Sequence, residues 1–174
     1  MNGYFPGVPL RAALRLACLA LTFVLPPAAA AALTAQDADR VVTVMERLQP
    51  EFGSLAYDEE VADDWFARDA EAGGVIAKAG FTRESWRDAL NATMCGYLAN
   101  IPQGTVDTLF RELAERLSKA PKLTSGQKAE IAVFVQEERA RMDRLRAEGG
   151  ADAAAVRPYV ERLRRLVPDR LEQD

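Results

Sequence analysis

The stretch FTRESWRDALNATMCGYLANIP, residues 81–102, decides the fold class. Thr82 stands where a helix N-cap belongs, with Glu84 in the first turn, where a carboxylate meets the positive end of the helix dipole. Phe81 precedes the cap and Trp86 follows four positions inside, the arrangement of a hydrophobic staple. Trp86, Leu90, Thr93, Tyr97 and Ile101 then recur at steps of three and four, flanked by Ala89 and Met94, which is one face of an α-helix and cannot be one face of a strand. Pro102 closes the segment. The opposite face carries Asp88, Asn91, Ala92, Cys95 and Ala99 with Gly96 beside them. It reads as a small-residue surface packed on another helix, or as an open surface.

The same period extends in both directions. Upstream, Thr34 caps a helix over about 35–48 with Ala38, Val41, Val42, Met45 and Leu48 on one face, and Pro50 is expected to end or kink it. A second helical segment follows over about 50–70, with a break near Tyr57-Asp58 and with Phe52, Leu55, Ala62, Trp65 and Phe66 as its buried residues. Gly73-Gly74 stops it, and residues 75–79 add a further turn. Downstream, Val106, Phe110, Leu113, Leu117 and Ala120 step four, three, four, three along a helix over about 106–119. Its acids and bases pair four apart with the acid first, as in Asp107–Arg111 and Glu112–Arg116.

After Pro121, Thr124 and Gln127 form a T-x-x-Q capping box that opens a helix over about 125–147. Its stripe is Ile131, Val135, Glu138, Met142 and Leu145, with Glu138 expected at the solvated edge of the seam. Two such stripes across a short connection predict an antiparallel, coiled-coil-like hairpin. Gly149-Gly150 ends that helix, and a last one is expected over about 153–167 with Pro158 near its start. The predicted architecture is all-α, a single domain of five or six helices.

Residues 1–32 read as a signal peptide rather than as part of that domain. Arg11 and Arg15 supply the positive region, residues 16–25 form an apolar run too short for a bilayer span, and Ala28 to Ala32 offer cleavage sites near 30–32. The residues before Cys18 do not form a lipobox, since Arg15 stands where an aliphatic residue is wanted. The expected location is periplasmic or secreted, with residues 33–174 as the folded unit and membrane attachment only through an uncleaved leader.

The chain has 174 residues, no histidine and two cysteines. The absence of histidine excludes Ser-His-Asp and Cys-His catalysis and His-ligated zinc. Without the leader the net charge is about −6, and the excess of acids over bases lies in residues 33–80. The arginines of the last third, Arg139 to Arg170, interleave with acids at helical pairing distances. An acidic, exported chain is not expected to bind nucleic acid.

Four residues stand out as candidate sites. Cys95, alone in an oxidising compartment, is either a buried small residue or the link of a disulfide-bonded homodimer. Trp65, Trp86 and Tyr97 are either core or the lining of a ligand pocket. The cluster Asp58, Glu59, Glu60, Asp63, Asp64 lacks an EF-hand pattern and reads as a solvated helix face. Asn91-Ala92-Thr93 matches a glycosylation sequon but lies mid-helix with Thr93 on the buried stripe. No cofactor is expected.

Leu123-Thr124-x-x-Gln127-Lys128, leading into Ile131 and Arg141-Met142, resembles the LTxxQ helix start of small exported bacterial chaperones, and Leu33-Thr34-x-x-Asp37 resembles a partial second copy. That resemblance implies an all-α protein that shields unfolded clients without a cofactor. Gly80-Phe81-Thr82-x-x-x-Trp86 with Met94 and Tyr97 also resembles uncharacterised exported helical proteins of bacteria, to which no activity attaches. The expected function is a non-catalytic binding or chaperone-like module with a protein partner. The alternative is a hydrolase of envelope glycan that uses paired carboxylates.

Overall fold

A computed structural model describes residues 32–53, 57, 58 and 60–167. The leader, Cys18, Leu55, Glu59 and Arg170 lie outside the described residues. Among those described, all regular structure is helical and no strand is present, so the fold is all-α.

Helix α1 spans Ala35–Phe52 and begins at Thr34, whose Oγ1 accepts from the Asp37 amide at 3.0 Å. Pro50 does not end it. The proline falls in the last turn, where it removes only one hydrogen bond, and the Gly53 amide still reaches Gln49 O at 2.8 Å. The connection that follows is longer than the sequence suggests. Helix α2, Val61–Ala72, starts only after Asp58, whose Oδ1 accepts from the amides of Glu60 and Val61 at 2.9 and 2.8 Å and so satisfies its first orphan donors. Asp69, inside α2 and 2% exposed, does the same for the one-turn helix α3, Val75–Lys78, accepting from Val75 N and Ile76 N at 2.8 and 2.7 Å. Nothing in the residue pattern marks that acid as buried.

Helix α4, Arg83–Asn100, is the centre of the molecule. Its capping box is completed by Ser85: the Ser85 amide donates to Thr82 Oγ1 at 3.1 Å, and the Thr82 amide donates to Ser85 Oγ at 2.9 Å. The Phe81 and Trp86 rings meet edge to face with centroids 5.6 Å apart, and Trp86 Nε1 donates to Ala62 O at 3.0 Å. Trp86, Leu90, Thr93 and Tyr97 are buried in one core together with α1, α2, α3 and the C-terminal segment.

Around Cys95 and Gly96 the other face of α4 is covered as well, and by backbone. Residues 149–156 cross it at Cys95 and Gly96. A Cβ on Gly149 would lie 2.0 Å from Cys95 O, and a Cβ on Gly96 would lie 2.8 Å from Val156 Cγ2. Two glycines therefore permit this crossing, and Gly149 does more than terminate the preceding helix. Asn100 Nδ2 adds a tie by donating to Ala153 O at 2.8 Å.

The C-terminal helix expected over 153–167 is interrupted. Helix α7, Ala153–Val156, passes through a 3-10 turn at Arg157–Tyr159 into α8, Val160–Leu166. Pro158 is the reason, since its ring excludes the carbonyl four residues back and it has no amide to donate. The interruption still places Val156, Leu163 and Leu166 in the core. Arg162 clamps α8 to α1: Nε and Nη2 donate to the two Glu46 oxygens at 2.8 and 2.7 Å, and Nη1 donates to Asp39 at 2.8 Å.

Helices α5, Gln103–Lys119, and α6, Ser125–Glu148, make a second, thinner core. Thr124 and Gln127 form the expected capping box. Val106, Phe110 and Val135 are buried there, while Leu109, Leu113, Leu117, Ile131 and Met142 are only partly covered. Glu138 is half-buried at the margin and faces Arg141 at 3.7 Å. At its far end α6 is held to α4 by Arg146, whose Nη1 donates to Leu98 O at 2.9 Å and to Ile101 O at 2.6 Å. A cation thereby meets the negative end of α4.

Candidate functional site

The aromatic residues singled out from the sequence are interior. Trp86 is fully buried, Trp65 is 5% exposed and stacked edge to face on Phe52 at 5.5 Å, and Tyr97 is 6% exposed. All three belong to the main core, because the helical stripe that makes them conspicuous is the stripe that α4 and α2 turn inward.

A cleft of about 360 Å³ opens between the start of α2 and the first half of α4. Ala62 and Leu90 form its apolar floor; Tyr57, Asp58, Asp63, Arg87, Asp88 and Asn91 form its rim. None of the three candidate aromatics lines it. Tyr57, which does, comes from the α1–α2 connection, where no periodicity announces a role. The acids of the rim are engaged. Asp58 caps α2, and Asp63 accepts from Arg83 Nη1 at 3.2 Å with Arg87 Nη1 3.9 Å away. Arg87 Nε also lies 3.9 Å from Asp88. Of the carboxylates that the sequence presents as a cluster, Asp58 is thus used as a cap and Asp63 in salt bridges, while Glu60 and Asp64 are exposed. Among the described residues no group of three or more His, Cys, Asp or Glu side chains could hold a metal ion.

Tyr57 connects this cleft with Cys95. Its hydroxyl donates to Asn91 Oδ1 and stands 4.0 Å from Cys95 Sγ. Cys95 is 5% exposed and is a free thiol. Burial pushes its pKa up, the Tyr57 contact opposes this in part, and the carboxylates of Glu148 and Asp152 add smaller upward effects. The small-residue face of α4 is therefore packed around Cys95 and Gly96, closed by residues 149–156 on one side and by Tyr57 on the other, while Asp88 and Asn91 nearer the start of the helix stay exposed. A link between two chains through Cys95 requires that this face first open.

Asn91 is exposed and Thr93 fully buried, as their places on opposite sides of α4 require. Thr93 Oγ1 has no hydrogen-bond partner among the described residues.

The surface of α6 was not singled out by its sequence, yet it carries the exposed large apolar residues among the described residues: Val133 is 56% and Phe134 60% exposed. The signal was available. Val133 and Phe134 fall between the stripe positions Ile131 and Val135, so one helix in this pairing cannot bury all four.

No helix among the described residues is long and apolar enough to cross a membrane. Compared with known proteins, the chain matches no family model, no curated protein and no solved structure.

Proposed function

We propose that this chain is an exported, non-catalytic binding module that uses the α5–α6 pair to hold an apolar segment of an unfolded protein client. The observation that carries the reading is the exposure of Val133 and Phe134 on α6, together with the incomplete cover of Leu109, Leu113 and Ile131 in the α5–α6 pair. Contacts along the pair support an antiparallel, coiled-coil-like hairpin: Lys128 Nζ donates to Ser118 O near the connection, and Arg139 donates to Asp107 at the opposite end. At 100° per residue, Leu109 and Phe134 fall on the flank away from that Asp107–Arg139 pair, so the hairpin offers an apolar side with a charged rim. Export follows from the leader pattern of residues 1–32.

The test is suppression of aggregation of a chemically unfolded client by the chain without its leader. Suppression is expected near stoichiometric ratios and is expected to weaken in Val133→Ser/Phe134→Ser, with unchanged far-UV circular dichroism and melting temperature. Absence of suppression at large excess overturns the reading. Recovery of the full-length chain only inside the cell, with its N-terminus intact before Ala28, overturns the export part.

The glycan-hydrolase reading has one supporting observation, the cleft that brings Asp58, Asp63 and Asp88 to one rim. It predicts release of soluble fragments from envelope glycan that Asp88→Asn abolishes. No release by the unsubstituted protein disposes of it.

A further inference from the structure

We draw no further inference here: the strongest candidate, the cleft between α2 and α4, is an acid-lined groove in which Asp58 already caps α2 and Asp63 already faces Arg83 and Arg87, and neither of the unpartnered buried polar atoms among the described residues, on Arg40 and Thr93, lines it to receive a ligand.

Discussion

The cluster around α4 and the α5–α6 pair are written in the same code and reach different ends. Both present apolar residues at alternating steps of three and four. Around α4, those residues meet neighbours on two sides, and Trp86, Leu90 and Thr93 are fully buried. Helix α5 has one main neighbour, α6, while α6 is shared between α5 and α4, and most of the stripe stays half-exposed. Periodicity states which face of a helix is apolar; the number of elements packed on that face sets how much of it leaves water. Stability is therefore concentrated in the first region, and the second is left with apolar surface.

The sharpest way to break this contrast is through Cys95. Labelling of its thiol in the folded protein should be slower than in denaturant by about 100-fold or more, because reaction requires opening of the α4 face. Equal rates would show that the crossing by residues 149–156 is absent in solution. A disulfide-linked dimer on a non-reducing gel of the native protein would show it too.

Trp86→Ala should cost about 3–5 kcal/mol in a denaturant titration, from lost burial plus the cavity it leaves. Gly149→Ala should cost about 1–3 kcal/mol, since the obstructing atom is the Cys95 carbonyl, which belongs to a central helix and cannot rotate aside. A neutral result there would place the crossing further from α4 than the structure does. Leu113→Ala in the thinner core should cost only about 1 kcal/mol, because part of that side chain is already solvated. Amide exchange on α5 should also outpace that on α4; comparable protection would erase the contrast.

The smallest effect is electrostatic and belongs to the stronger core. Arg162 beside Glu46 holds that carboxyl below its ordinary value. A depressed folded pKa means the contribution is complete above the unfolded value and is lost as pH falls through the folded one, so it disappears on the acid side of about pH 4.5. Glu46→Gln should flatten that part of the stability–pH curve by less than about 1 kcal/mol, since the pair is partly solvated. An unchanged acid limb would remove Glu46 as a cause.

Much of the fold is legible in particular residues. Thr34, Thr82 and Thr124 mark three helix starts, and in each the side-chain oxygen accepts the amide three residues on. Pro102 and Gly73 mark ends. Two prolines read less well. Pro50 is absorbed because a helix end has few bonds to lose, and Pro158 splits a helix because it falls five residues after the start. The cleft was not legible. Its rim joins Asp58 and Asp63 of one region to Arg87 and Asn91 of another, and no spacing along the chain encodes that meeting.

By itself the sequence determined the all-helical class, the capped starts of α1, α4 and α6 and the inward face of each long helix, because caps and the 3.6-residue period act over a few neighbouring residues. Only the tertiary structure decided which faces are closed twice. Gly96 and Gly149 lie far apart in the chain, yet their missing side chains bring two backbones together and bury Cys95. Val133 and Phe134 stay in water because no second element reaches α6 on that side among the described residues. Closure depends on what arrives from elsewhere in the chain, and a local pattern carries no record of it.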